Sequence, residues 1–244
     1  MLGNIPGAPA VDGIVRIEIW SDVVCPWCYI GKRRLEAALA AFPWREQVEV
    51  VYRSFELDPT APEVGHESVA EMLGRKYGGG VENGRRMMAR VEGVAAEMGL
   101  VFDYADATHT KTIDAHRLLH LALEEGVQAE LKEALLAAHF THAQSMGDHD
   151  VLAKAAVDVG LDPGRVSEVL TSDEYADAVA ADIAQARAYG ATGVPFFVVD
   201  QKFGISGAQP TELFIDVLAR AWAEREPLQV VGDGDVCGPD GCPV

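Results

Sequence analysis

Two cysteines separated by a proline and a tryptophan, Cys25-Pro26-Trp27-Cys28, stand where an apolar, β-branched stretch hands over to a helical pattern. Val15 to Trp20 reads as a buried strand, and beyond Pro26 the residues Ile30, Leu35, Ala38 and Leu39 recur at helical spacing. Proline is favoured at the first helical position, so Pro26 should open the helix and Cys25 should cap it. The unpaired N–H groups and the macrodipole at that end favour an anion, hence a thiolate over a thiol. An ordinary cysteine ionises near about 8.5, and helix N-termini and Cys-x-x-Cys pairs bring that to roughly 3.5–7.5. Cys25 is therefore the expected nucleophile. Cys28, one turn further and nearer the body of the fold, is the expected resolving thiol. Half a zinc site is the competing reading, but no Cys or His lies nearby at ligand spacing and the next histidine is His66.

The elements that must hold this dithiol follow in order. Residues 1 to 13, rich in Gly, Pro and Ala, look like a loose leader, and Phe42-Pro43-Trp44 closes the redox helix. A second strand reads from Gln47 to Phe55, giving a βαβ unit with parallel pairing. Asp58-Pro59-Thr60-Ala61-Pro62 breaks the pattern, and helical segments then follow near 66–77, 81–98, 111–125, 128–145, 148–159, 163–170 and 173–189. No residue signature recurs at a fixed period, which excludes a solenoid. Strand signals resume at Val194 to Asp200, with Gln201-Lys202 as a tight turn and Phe203 to Ser206 as the return strand. A last helix, Thr211 to Glu224, should bury Leu213, Phe214, Val217, Leu218 and Trp222. The division expected is 14–60 and 191–226 for the two parts of an α/β domain, 61–190 for an inserted helical domain, and 227–244 for a Gly- and Asp-rich tail.

Composition narrows the partners. The chain has 244 residues, 49% of them hydrophobic, and 20 Lys plus Arg against 38 Asp plus Glu, a formal charge of −18. That surface repels nucleic acid and anionic membrane, so neither is an expected partner. The first 13 residues carry no Lys or Arg and no apolar run, which predicts no secretory signal and a cytoplasmic location. Cysteines in that setting are expected to be catalytic or metal-binding rather than a structural disulfide framework.

Three blocks in this order carry a resemblance: Ser21-Asp22-Val23-Val24-Cys25-Pro26-Trp27-Cys28, Ala115-His116-Arg117-Leu118-Leu119-His120, and Ala191-Thr192-Gly193-Val194-Pro195-Phe196-Phe197. They resemble the DsbA family of thiol–disulfide oxidoreductases, and in detail its cytosolic FrnE-type subgroup. The resemblance covers residues 15 to about 225. It implies a thioredoxin fold with a large all-helical insertion. It also implies a cis peptide at Pro195 beside the dithiol, leaving the Val194 backbone free to pair with an extended substrate. The His116-Arg117 block would belong to the helical domain that roofs the cleft. Pro26, Trp27, Val194, Pro195 and Phe196 are the expected substrate-binding residues. Exported DsbA proteins typically place a His where Trp27 stands, so this pair should be a weaker oxidant than theirs.

The expected function is thus thiol–disulfide exchange or isomerisation on protein or small-molecule disulfides, by a monomer or a homodimer. It needs no organic cofactor, and glutathione is the candidate co-substrate. His116 with His120, and His139 with His142, stand at helical spacing, yet no Asp or Glu is obviously placed to complete a metal site; no metal is expected. Cys237 and Cys242 in the tail are a candidate second redox pair, with a passive disulfide or an adventitious metal-binding tail as the competing reading. Two rival readings remain. One is a glutathione-dependent isomerase or transferase of the 2-hydroxychromene-2-carboxylate isomerase or kappa class, which usually has Ser at the place of Cys25. The other is a redox-controlled chaperone or binding module.

Overall fold

A computed structural model describes residues 13–224. The leader up to residue 12 and the tail from residue 225, with Cys237 and Cys242, lie outside the described residues.

Strand β1 (Val15–Ser21) runs into helix α1 (Pro26–Ala41), and a short 3₁₀ turn leads to β2 (Val48–Ser54). Helices α2 (Val69–Tyr77), α3 (Gly80–Glu97), α4 (Ile113–Glu124), α5 (Gln128–Phe140), α6 (His149–Asp158), α7 (Pro163–Thr171) and α8 (Ala176–Ala188) follow. The chain then returns as β3 (Phe196–Val199), β4 (Phe203–Ser206) and α9 (Thr211–Ala223). The four strands form one sheet in the order β2-β1-β3-β4, with β1 parallel to β2 and antiparallel to β3. A sequence-distant hairpin therefore completes the sheet that the βαβ unit begins.

Strand β1 is buried along nearly its whole length because both faces are covered. On one face Ile17, Ile19 and Phe197 pack with Leu35 of α1 and with Phe214 and Leu218 of α9. On the other, Trp20 packs with Ala186 of α8 and its indole N–H donates to the Asp182 carbonyl at 2.8 Å. The helical layer has its own core, including Leu118, Leu121, Leu131, Leu135 and Leu152. The edge strand β2 does not end in open backbone at its middle. The Gln128 side chain accepts from Tyr52 N–H at 2.8 Å and donates to Tyr52 C=O at 2.9 Å, so an amide side chain stands in for a neighbouring strand.

Several boundaries differ from the sequence reading. The hairpin turns on Asp200 and Gln201, both in the left-handed region at φ 49° and 56°, and Lys202 N–H closes it onto the Val199 carbonyl. Val194 and Pro195 precede β3 rather than belonging to it. Helix α5 stops at Phe140, where Thr141 caps it, so His142 is not on the same helix as His139. In α9, Leu213 is exposed, whereas Phe214, Leu218 and Ala221 face the sheet. The core-facing stripe is one residue out of step with Leu213, and a short amphipathic helix has room for only one such stripe.

Candidate active site

Cys25 is the N-cap of α1 and Pro26 its first residue, as the proline requires. No side chain caps the helix there, which leaves its N–H end directed at the cysteine. Both thiols are free and nearly buried, at 4% and 3% exposure. Cys25 opens on a cavity of about 620 Å³. Pro26, Trp27 and Val194 form its wall on the dithiol side, and Met72, Met88 and Val91 of the α2–α3 hairpin face them. Cys28 lies behind this wall.

The Cys25 thiol is 3.6 Å from the Val194 carbonyl, and the Val194–Pro195 peptide is cis. This proximity depends on Gly31. A Cβ there would stand 3.1 Å from Pro195 Cγ and 3.2 Å from Phe197 Cζ, so glycine lets α1 lie close under the proline loop. Trp27 projects outward with 41% of its surface exposed. Phe196 does not join the cavity. Its ring turns to the opposite side of the sheet, 6.4 Å from Trp20, because alternate residues of a strand face opposite ways.

The loop before Cys25 is fixed by Asp22. One carboxylate oxygen accepts from Val23 N–H at 2.7 Å and lies 3.3 Å from His116 Nε2, and the other accepts from Leu57 N–H at 2.8 Å. Burial pushes this carboxyl up, but His116 and the Leu57 N–H outweigh it and hold the group below the usual carboxylate range. Burial, with the neighbouring Cys25 thiol, pushes the Cys28 thiol well up. The carboxylates that the sequence did not show beside the histidines are thus present: Asp22 next to His116, and Asp182 3.1 Å from His120. Each histidine has one such partner. Among the described residues no group of three or more His, Cys, Asp or Glu is arranged to hold a metal ion.

Two residues near the dithiol escaped sequence reasoning. Glu133 of α5 joins α1 through Tyr29, Lys32 and Arg33, with Tyr29 donating at 2.6 Å and Lys32 at 2.5 Å. Its neighbour Lys132 is fully buried among these elements. The signal was available: Gln128, Lys132, Leu135 and His139 share the inward stripe of α5, where a lysine is out of place.

The order of elements has a counterpart among known proteins. The family model of the DSBA-like thioredoxin domain matches residues 16–219. The chain belongs to this family. Within this DsbA-like family, the crystal structure of a probable DsbA oxidoreductase from Streptomyces coelicolor is 48% identical, with a TM-score of 0.82 over 94% of this chain and 99% of that one. YwbO of Bacillus subtilis strain 168 is 28% identical over 202 residues, 82% of this chain and 94% of its own. The cytosolic disulfide reductase DsbM from Pseudomonas aeruginosa, solved with GSH, shares the DsbA-like fold at 15% identity, with a TM-score of 0.60 over 84% of this chain and 98% of that one.

Proposed function

We propose that this DsbA-like chain exchanges disulfides through Cys25 and Cys28. Cys25 attacks a substrate disulfide and expels one substrate thiolate. Cys28 then attacks the mixed disulfide, releases the second thiolate and leaves a Cys25–Cys28 disulfide. The observation that carries this reading is the placement of the two sulfurs: one on the cavity wall at a helix N-terminus, the other behind it and away from the cavity. The cavity fits a disulfide in an extended peptide or a small molecule. Its apolar methionine wall accepts varied side chains, and the Val194 backbone offers groups for strand-like pairing. The exposed indole of Trp27 brings no charge to the thiolate, which supports a weaker oxidant than family members with His at this place. The FrnE-type, cytoplasmic assignment belongs to this same reading, with Cys237 and Cys242 as a second dithiol that relays electrons to Cys25. Serine at Cys25 would favour the glutathione-dependent isomerase class, and this chain has the thiol.

Reduction of a peptide disulfide tests the assignment. Cys25→Ser should abolish turnover, and Cys28→Ser should trap a mixed disulfide on Cys25, seen by intact mass. Trapping on any other cysteine, or turnover that survives Cys25→Ser, would overturn it. Slowed turnover in the Cys237→Ser/Cys242→Ser chain supports the relay, and unchanged turnover removes it.

A further inference from the structure

Lys132 is a buried ammonium whose surroundings do not explain it. It is 1% exposed, among the largest fully buried side chains of the protein. Among the described residues no carboxylate lies within ion-pair distance of it, because the adjacent Glu133 is engaged by Lys32 and Arg33. Among the described residues its one hydrogen bond is a long one, 3.5 Å to the Ser21 carbonyl, and the Tyr52 ring centroid lies 5.8 Å away. A three-donor cation in such a place costs stability unless some other charge uses it.

The candidates for that charge surround it from three elements. They are Cys25 and Cys28, with the like-charged Lys32, on α1; Asp22 in the loop after β1; and Tyr52 on β2. Asp22 is already satisfied by Val23, Leu57 and His116. The dithiol is not. Lys132 reaches the Ser21 end of the Ser21–Asp22 peptide, and the N–H of that same peptide faces the Cys28 sulfur.

We infer that Lys132, delivered by α5 from the helical layer, is the counter-charge that stabilises the thiolate of Cys28 when it resolves the mixed disulfide. The inference rests on the dithiol reading above. In the step concerned, the Cys28 thiol loses its proton to solvent and the thiolate attacks Cys25 Sγ. The Cys25–substrate bond breaks and the substrate sulfur leaves as a thiolate. The dithiol gives up two electrons and the substrate disulfide gains them. Without a cation, a thiolate formed in this buried position would be opposed by the same desolvation that holds the Cys28 thiol high. Burial lowers Lys132 to about 8, which still leaves it mostly charged at neutral pH. Lys132 is a positioning residue: it acts through Cys28 and touches no substrate.

Stopped-flow reaction with 5,5′-dithiobis(2-nitrobenzoate) separates the two steps. The full-length chain carrying Cys237→Ser and Cys242→Ser should release one thionitrobenzoate on attack by Cys25 and a second on resolution by Cys28. Lys132→Met, similar in volume and without charge, should slow the second release at pH 7 by at least about ten-fold, the factor one pKa unit represents. Any change in the first release should be smaller. The deficit should shrink as pH rises toward the ionisation of Cys28 itself, and Lys132→Arg should recover most of the rate. A second release in Lys132→Met that matches the parent across about pH 6 to 9 would overturn the inference, as would an equal deficit in Lys132→Arg. Absence of the first release in the parent would instead overturn the dithiol reading.

Discussion

His139 sits on the cavity wall and is held neutral there. Burial lowers it to about 4, against a single acceptor, the Gln144 carbonyl 3.3 Å from Nδ1. The unfolded chain binds a proton at this histidine below about 6.5, and the folded chain does so only near 4, so stability rises with pH between those values. That is about 3 kcal/mol present at neutral pH and lost as acid protonates the unfolded state. Urea midpoints measured from pH 7 down to 4 should show this limb, and His139→Gln should flatten it. Asp22 acts in the same sense further into acid: its carboxyl lies below the usual range, so its contribution is fully present above that range and is lost as pH falls toward the folded value.

Helix α5 acts as a bracket, each of its inward residues fixing a different partner. Gln128 pairs with the edge of β2, Glu133 ties down α1, Lys132 reaches the Ser21 carbonyl at the end of β1, and His139 reaches the cavity. The opposite wall depends on a closer contact. A Cβ at Gly84 of α3 would lie 2.0 Å from the Ala70 carbonyl of α2, and one at Gly74 would lie 2.1 Å from the Gly80 carbonyl. These glycines let the two helices touch backbone to backbone. Gly84→Ala should therefore part the hairpin, costing about 1–3 kcal/mol as overpacking does. Hydrogen exchange should rise in α2 and α3 while the sheet stays protected, and a uniform loss of protection would contradict this.

The whole molecule carries a formal charge of −18. A surface of that sign disfavours the approach of anionic disulfides and favours cationic ones, and salt screens both effects. The second-order rate with oxidised glutathione, a net dianion at neutral pH, should rise as ionic strength increases, while that with cystamine, a dication, should fall. Equal salt responses for the two would show that local groups at the cavity outweigh the overall field.

The local features were legible from the chain alone. Pro26 sets the start of α1 and leaves Cys25 at its cap, an outcome that needs only the missing proline N–H and the orphan donors of a helix end. The β-branched run before it and the Phe-Phe-Val-Val run after Pro195 gave two strands of one sheet, and the glycine punctuation gave the helices between them. Where a helical stripe meets its neighbours was not legible, as Leu213 and the early end of α5 show, because either depends on what packs against it. Nor could the sequence place Asp22 against His116, Gln128 against Tyr52, or Lys132 against the Ser21 carbonyl. Those pairs are separated by most of a domain along the chain. Only tertiary packing decides which buried polar groups meet, since each must find a partner once water is excluded.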